Sequence, residues 1–179
     1  MGRPKQLLEI DGTPMLSRAV RSALASRCRP VVVVVGASGD TVESLLTGLD
    51  VVPVRNPEWE QGIGTSIRAG VAALDGSSVE AVVIALSDQP RIGGGTYDAL
   101  VEAHRRTGRR VVASEYSGTL GVPALFARAL FAELRALPAG EGCKRLILSQ
   151  PEGQLARHPC PEAAVDVDTP ADWARLAES

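Results

Sequence analysis

VEAVVIALSDQP, which occupies residues 79–90, joins a nearly continuous apolar run to an abrupt polar stop. The apolar part suits a strand that is buried on both faces, as in a parallel sheet covered by helices. Asp88 follows directly and is therefore expected where such a strand delivers a side chain to a cleft. Because ligands collect at the carboxyl ends of the strands in open parallel sheets, Asp88 is better placed to hold a metal ion than to support a core.

The composition predicts one folded domain over residues 1–179, with 45% apolar and 22% charged residues. A net charge of -2 gives no electrostatic reason to expect nucleic acid or an anionic membrane as a partner. Cys28, Cys143 and Cys160 are widely spaced without a CxxC pair, which favours thiols in a reducing compartment. The sequence shows no signal-peptide pattern and no apolar run long enough to cross a bilayer, so we expect a cytoplasmic protein.

Strands and helices alternate along the chain, which predicts a three-layer α/β/α domain with a mostly parallel sheet. Thr13 and Pro14 predict the cap and first turn of a helix whose apolar residues recur as far as Leu24, and Thr96 predicts the cap of a helix that ends near Arg105. Pro53 places a strand over residues 51–54 at an edge of the sheet, or ends the ladder there. Other predicted strands cover residues 31–35, 109–114, 118–126 and 164–168. A helix is predicted after the strand over 31–35, ending near residue 46, and further helices are predicted over residues 65–74, 126–137 and 143–148.

Asp88 and Asp168 both close apolar strands, so in a parallel sheet both would face the same edge. Two carboxylates about 4 Å apart repel by roughly 4 kcal/mol at an effective dielectric near 20. A divalent cation removes this conflict, and Mg²⁺ favours one or two carboxylates together with phosphate oxygens. The structural alternative is that Asp88 forms a turn before Pro90 and that Asp168 precedes a helix cap.

Two further stretches offer contacts to a nucleotide. Lys5 suits phosphate charge at the mouth of the sheet, although a solvated terminus explains a basic residue there equally well. The loop over residues 56–66 leads into a helix and is rich in backbone donors and small hydroxyls, which suit a nucleobase or a pterin edge. Within this loop we expect Trp59 to pack the chain rather than to stack on a ligand.

Five motifs carry a family resemblance: MGRPKQLLEIDGTPML, NPEWEQGIGTSIRAG, SDQP, GVPALF and VDVDTPADW. In this order and spacing they resemble the molybdenum cofactor cytidylyltransferases and other members of the MobA-like nucleotidyltransferase family. The resemblance implies a Rossmann-like nucleotidyltransferase fold that joins a nucleoside triphosphate to molybdopterin, releases pyrophosphate and uses Mg²⁺. It implies molybdoenzymes or their chaperones as further partners.

The same resemblance implies roles for residues in the matching motifs. Lys5 matches the family lysine that contacts phosphates, and Asp88 matches the metal-binding acid of the DQP motif. Asp168 matches the second metal-binding acid, with Asp166 as its alternative, because a slip of two residues along the strand would exchange them. The implied substrate-binding residues are Arg3, Gly62, Ser66, Gln89, Pro90, Gly121 and Pro123, of which Gly62 and Ser66 match the loop that faces the nucleobase.

The sequence departs from the family pattern in three places. Family members carry a strand and a glycine-rich turn of the type LAAGxSxR before the first motif. We therefore expect Met1 to be an internal methionine, and the sheet to lack its first, central strand and its phosphate cradle. Val122-Pro123 stands where many members have histidine before proline, and the usual glycine-acid-x-glycine loop reads Gly140-Glu141-Gly142-Cys143.

Three functions remain open at this point. The first is cytidylyl transfer from CTP to molybdopterin or its molybdenum form, and the second is guanylyl transfer, or transfer to a sugar phosphate, on the same fold. The third is a non-catalytic, cofactor-binding partner of molybdoenzymes. A phosphate nucleophile is already anionic at neutral pH, so the first two need no general base, which fits a sequence without a serine or histidine constellation.

Overall fold

Strands and helices alternate over residues 7–166, the part of the chain that the computed structural model describes. Short 3-10 turns occupy Trp59–Gln61, Arg128–Leu130, Glu152–Gln154 and Pro161–Ala164. The strands and α-helices are, in chain order, β1 (Glu9–Ile10), β2 (Thr13–Pro14), α1 (Met15–Ala25), β3 (Val32–Val35), α2 (Gly39–Leu46), β4 (Val52–Arg55), α3 (Ile63–Ala72), β5 (Ala81–Ile84), α4 (Gly94–Thr107), β6 (Val111–Tyr116), β7 (Thr119–Ala127), α5 (Phe131–Arg135), α6 (Cys143–Leu148) and β8 (Leu155–Pro159).

The six longer strands of this part of the chain form two separate sheets. β3 and β4 pair in parallel, with Val32 opposite Val52. The other sheet has the order β5-β7-β6-β8, in which β7 is antiparallel to both of its neighbours and β6 is parallel to β8. In this sheet β5, β6 and β8 therefore point the same way and only β7 is reversed, which agrees with a mostly parallel sheet and with the strand predicted over residues 118–126.

Helices cover the strands from both sides and make three layers. We call the four-stranded sheet with α3 to α6 the body, and β3 and β4 with α1 and α2 the wing. On one face of the body, α3, α5 and α6 enclose Phe126, and on the other face α4 packs Leu100 against Val112. In the wing, α1 and α2 enclose Val33. The predicted α/β/α layering is confirmed.

Two predicted helix caps were wrong. Thr13 and Pro14 form β2, which pairs with β1, so α1 begins at Met15 without a side-chain cap. Thr96 lies inside the first turn of α4, which begins at Gly94. A Cβ at Gly94 would lie 2.8 Å from the Ser22 carbonyl oxygen of α1. The start of α4 is therefore fixed by its close contact with α1 rather than by a threonine hydroxyl.

The end of the described chain also differs from the prediction. Pro161–Ala164 is a 3-10 turn, so the strand predicted over residues 164–168 is not seen as far as Asp166, and its remainder lies outside the described residues. The sheet is completed instead by β8, which pairs with β6 and was not predicted. The helix predicted from Phe126 begins at Phe131, because Phe126 lies in β7 between Val82 and Val111.

The three cysteines are free thiols, as the sequence predicted. Cys143 and Cys160 are buried. Burial raises the pKa of the Cys143 thiol to about 12, so this thiol is protonated at neutral pH.

None of the helices within residues 7–166 has the length and apolar character that crossing a membrane requires.

Candidate functional site

The turn after β5 carries Asp88, the acid that the sequence singled out. β5 ends at Ile84, and Asp88 lies half-buried in the turn that follows, with its Oδ1 atom shielded from solvent. The side chain of Gln89, the next residue, is buried. Its Nε2 atom donates hydrogen bonds to the carbonyls of Val122 and Ala163, each at 3.1 Å. Because both partners are acceptors, only the amide nitrogen of Gln89 can face them.

The Gln89 amide joins three distant segments of the chain. Val122 belongs to β7, and Ala163 belongs to the 3-10 turn that ends two residues before Asp166. The segment that carries Asp166 is therefore held against the turn that carries Asp88. The pKa of Tyr116 is raised, mainly by burial and to a smaller extent by the Asp166 carboxylate, which places Asp166 near this phenol.

β7 contributes Gly121 and Pro123, and both serve the local framework. A Cβ at Gly121 would lie 2.3 Å from the Tyr116 hydroxyl oxygen, so this position requires glycine for the ring of Tyr116 to fit. Pro123 is fully buried, and its carbonyl accepts a 2.6 Å hydrogen bond from the buried hydroxyl of Ser114. A direct substrate contact of Gly121 and Pro123 stays a prediction.

Asn56 organises the loop over residues 56–66, and sequence reasoning missed its role. Its buried Nδ2 atom donates to the hydroxyl of Thr65 at 2.8 Å and to that of Ser66 at 3.0 Å. Its Oδ1 atom accepts a hydrogen bond from the backbone amide of Glu58 at 3.0 Å. The loop therefore has a fixed conformation that orients the Ser66 hydroxyl. An Asn-Pro pair opening a long loop was the only signal in the sequence.

Two glycines bring this loop against residues 138–142. Gly62 has a φ of 127°, and a Cβ there would lie 2.5 Å from the Ala139 carbonyl oxygen. At Gly64 a Cβ would lie 2.0 Å from the Pro138 carbonyl oxygen. The Gly64 amide also donates a 2.8 Å hydrogen bond to the Ala139 carbonyl. The first turn of α3 is thus packed directly on the backbone of residues 138–142, which only glycine permits.

Trp59, in the same loop, is 42% exposed. Its Cβ nevertheless packs closely on Gly36, where an added Cβ would lie 2.7 Å from it.

A cavity of about 970 Å³ opens beside these segments. Ser66, Ser87, Gly121 and Lys144 line it, so the structure brings two of the predicted substrate-binding residues, Ser66 and Gly121, to one cavity next to the Asp88 turn. Lys144 is exposed on the first turn of α6. The sequence contains two lysines, Lys5 and Lys144, and its motifs predict a role only for Lys5.

A metal site at Asp88 stays a prediction. Residues 7–166 contain no group of three or more His, Cys, Asp or Glu side chains placed to hold a metal ion. Mg²⁺ does not require such a group, because one or two carboxylates with phosphate oxygens and water suffice. Asp88 fits this donor set. Pro90 is half-buried beside it, whereas Arg3, Lys5 and Asp168 lie outside the described residues.

Comparison with known proteins agrees with the fold. The purine catabolism protein PucB of Bacillus subtilis (strain 168) is 27% identical over 97% of this chain and 87% of its own length. Nicotine blue oxidoreductase of Paenarthrobacter nicotinovorans is 28% identical over 98% of this chain and 89% of its own length.

Among solved structures, the manganese complex of Rv0371c from Mycobacterium tuberculosis H37Rv is similar to this chain. It superposes with a TM-score of 0.80 and 28% identity, over 99% of this chain and 94% of its own. The Rossmann-like nucleotidyltransferase fold is thereby confirmed. The family described as the MobA-like NTP transferase domain matches residues 1–155. This chain therefore belongs to the MobA-like NTP transferase family and is a nucleotidyltransferase.

Proposed function

We propose that this chain transfers a cytidylyl group from CTP to molybdopterin, or to its molybdenum form, with Mg²⁺ as the metal. The observation that carries the proposal is the Gln89 amide, which holds the Asp88 turn against the segment of Asp166. Two acids on adjoining segments at the edge of a sheet suit a divalent ion bound to a triphosphate. The manganese ion bound to Rv0371c supports a divalent metal in a relative.

In this proposal the chain needs to position its substrates rather than to move a proton. A phosphate oxygen of the pterin substrate attacks the α-phosphorus of CTP, the bond from that phosphorus to the bridging oxygen breaks, and pyrophosphate leaves. The bound Mg²⁺ supplies charge neutralisation on the triphosphate. Asp88 would hold the ion together with Asp168, or with Asp166. The attacking oxygen is already anionic at neutral pH, so alignment with the α-phosphorus is the main task of the protein.

The remaining predicted residues divide between the base and the phosphates. Ser66, oriented by Asn56, and Gly62 would face the nucleobase. Lys5 and Arg3 would contact the phosphates, and Lys144 is a second cation at the same cavity. Residues 1–179 would act as one nucleotidyltransferase domain in the cytoplasm and would deliver the product to molybdoenzymes or their chaperones.

Calorimetric titration of the chain with Mg-CTP and with Mg-GTP tests the proposal. We expect CTP to bind more tightly than GTP, and binding to weaken strongly in Asp88→Asn. We expect pyrophosphate release to fall by about 10²-fold or more in the same variant, as for loss of a group that stabilises transition-state charge. Asp75→Asn is the matched control, because Asp75 is an exposed acid in an ion pair with Arg135 and does not itself line the cavity.

The other candidate functions give different results. A preference for GTP would indicate guanylyl transfer. Turnover with a sugar phosphate but not with molybdopterin would identify the sugar phosphate as the acceptor. Binding of molybdopterin without binding of either triphosphate would favour a non-catalytic partner of molybdoenzymes. Full CTP turnover by Asp88→Asn, or turnover that survives removal of divalent metal by a chelator, would contradict the role of Asp88.

A further inference from the structure

Five arginines gather at one end of the four-stranded sheet of the body. Two of them end α4, two lead into β6 and one follows β7. We call this group the arginine surface, and its members are Arg105, Arg106, Arg109, Arg110 and Arg128. Arg109 is half-buried and the other four are exposed, so the group is open to solvent.

Hydrogen bonds between neighbouring segments bring the arginine surface together and place it in the fold. The amide of Ala127, the last residue of β7, donates to the Arg110 carbonyl at 2.8 Å. The Arg128 amide donates to the Glu80 carbonyl at 2.7 Å. Glu80 directly precedes β5, whereas Asp88 lies in the turn after it. The arginine surface is therefore at the opposite end of the sheet from the candidate site.

Backbone carbonyls hold two of the five guanidinium groups in place. Arg109 donates from Nη1 to the Glu152 carbonyl at 3.3 Å, and Arg128 donates from Nη1 to the Val79 carbonyl at 2.7 Å. The Arg128 guanidinium also lies 5.6 Å from the centroid of the Phe131 ring. Carbonyls and rings are uncharged, so these contacts orient the two positive charges without cancelling them. A fixed orientation lowers the ordering cost of binding an anion.

The arginine surface carries charge that the described part of the chain does not neutralise. Within residues 7–166, none of its five members forms an ion pair with a carboxylate. Eight other arginines do so, namely Arg18, Arg27, Arg29, Arg55, Arg68, Arg135, Arg145 and Arg157. The whole chain has a net charge of -2 and the surface contributes +5, so the other residues together carry -7.

Stabilisation of α4 explains only part of this arrangement. Cations in the last turn of a helix interact favourably with its dipole, which accounts for Arg105 and Arg106. Arg109, Arg110 and Arg128 lie outside the helix. Because like charges at one place repel one another, stability alone does not account for five of them. Binding of an anionic partner accounts for all five.

We infer that the arginine surface docks a short acidic segment of a partner protein. The guanidinium group forms paired hydrogen bonds with a carboxylate, so five of them suit a run of glutamate and aspartate side chains. A long nucleic acid or an anionic membrane extends past the surface and meets the rest of the chain, whose charge of -7 repels it. A short acidic segment avoids this repulsion. Its place at the far end of the sheet leaves the candidate site open to substrates.

Fluorescence anisotropy of a labelled peptide with the full chain tests this inference. The probe is about ten residues long and alternates glutamate with serine, and its control has glutamine in place of glutamate. We expect the glutamate peptide to bind at least about tenfold more tightly than the glutamine peptide. We expect this binding to weaken by at least about threefold between about 50 and 200 mM salt, because salt screens exposed charges.

A triple variant locates the binding. It combines Arg105→Ser, Arg106→Ser and Arg110→Ser, three exposed positions that leave the carbonyl-bound Arg109 and Arg128 in place. We expect it to bind the glutamate peptide at least about tenfold less tightly.

A control variant separates the arginine surface from the net charge of the chain. It lowers the net charge by the same amount at exposed positions of α1, β4 and α6, through Arg21→Ser, Arg55→Ser and Arg145→Ser. We expect its affinity for the glutamate peptide to change by less than about threefold.

Charge reversal gives a readout that misfolding cannot imitate. The variant with Arg105→Glu, Arg106→Glu and Arg110→Glu should lose the glutamate peptide and gain binding to a peptide of alternating lysine and serine. The inference is overturned if this gain is absent, if the glutamine peptide binds as tightly as the glutamate peptide, or if the control variant loses as much affinity as the triple serine variant.

Two further probes decide between classes of partner. A thymidine oligonucleotide with the same charge as the glutamate peptide, or a phosphatidylserine vesicle, should bind less tightly than the peptide. Tighter binding of either one would overturn the inference and assign the surface to nucleic acid or to a membrane. All of these measurements are made without nucleotide substrates, so this inference and the proposed function can fail separately.

Discussion

β6 and β5 are both apolar strands of the body, yet they differ in burial. Val111, Val112 and Ala113 of β6 are 0% exposed, whereas all four residues of β5 are only half-buried. β6 has ladder partners on both sides, but in the described part of the chain β5 has a partner on one side only. Apolar sequence alone therefore does not bury a strand, because neighbouring strands must also hold the helices in place over both of its faces.

Two matched valine substitutions test this comparison directly. Val112→Ala removes two methyl groups from a fully buried site and should lower the free energy of unfolding by about 3 kcal/mol, counting the lost transfer energy and the cavity. Val83→Ala, on the half-buried strand, should cost only about 1 kcal/mol. Urea unfolding followed by circular dichroism measures both. Equal losses would mean that β5 is as well packed as β6 in solution.

α3 contacts both the wing and the body, and Gly64 fixes its first turn to the body. Gly64→Ala forces a Cβ against the Pro138 carbonyl, so the turn and residues 138–142 must separate, at a cost of about 2 kcal/mol. Gly95→Ala is the matched control, because its Cβ meets no atom within 4 Å and alanine favours the helix by roughly 0.5–1 kcal/mol. Thermal unfolding compares the two variants. A Gly64→Ala variant as stable as Gly95→Ala would show that the contact is not tight.

The layers and most of the longer strands could be predicted from the sequence, because their signals are local. The valine run of β3 follows from strand chemistry and was confirmed. Pro53 lies in β4, which within residues 7–166 pairs only with β3, as an edge strand does. α6 was also predicted with the bounds that the structure has. β8 was missed because its centre is Arg157-His158-Pro159, and polar residues with a proline do not resemble a strand until β6 is beside them.

The candidate site was predictable only in part. Asp88 was singled out because its strand ends abruptly; it follows the cavity-lining Ser87, and its role in metal binding stays a prediction. The framework role of Gln89 could not be found, since its two partners lie 33 and 74 residues away along the chain. The contact of Gly64 with the Pro138 carbonyl is equally distant in sequence. Single residues at strand ends are visible in a sequence, but the contacts that hold several ends together are not.

Gln89→Met tests how the end of β5 is held in place. Methionine has a similar size but no amide, so the carbonyls of Val122 and Ala163 lose a donor, and stability should fall by about 1–2 kcal/mol. If the proposed function holds, the maximal rate should fall more than the affinity for CTP, because Asp88 loses its position relative to Asp166. In the control Gln150→Met, one hydrogen bond to the Leu146 carbonyl is lost near the surface, and we expect a change below about 0.5 kcal/mol. Equal stability and equal kinetics in the two variants would show that the Gln89 amide does not hold the Asp88 turn in place.

The body should also respond to alkaline pH through its buried thiol and phenol. Burial raises the pKa of Cys143 from 9.0 to about 12 and that of Tyr97 from 10.0 to about 12. The unfolded chain then releases these protons at lower pH than the folded chain, so the stability that they contribute is complete below pH 9 and is lost as pH rises toward 12. Each group contributes at most about 1.4 kcal/mol per pH unit. Cys143→Ala should therefore flatten the fall in the free energy of unfolding between pH 9 and 11, as measured by urea unfolding at each pH. If the free energy of unfolding fell equally steeply with pH in Cys143→Ala, solvent would reach this thiol in the folded chain. The face of the body covered by α3, α5 and α6 would then be as accessible to solvent as the half-buried β5.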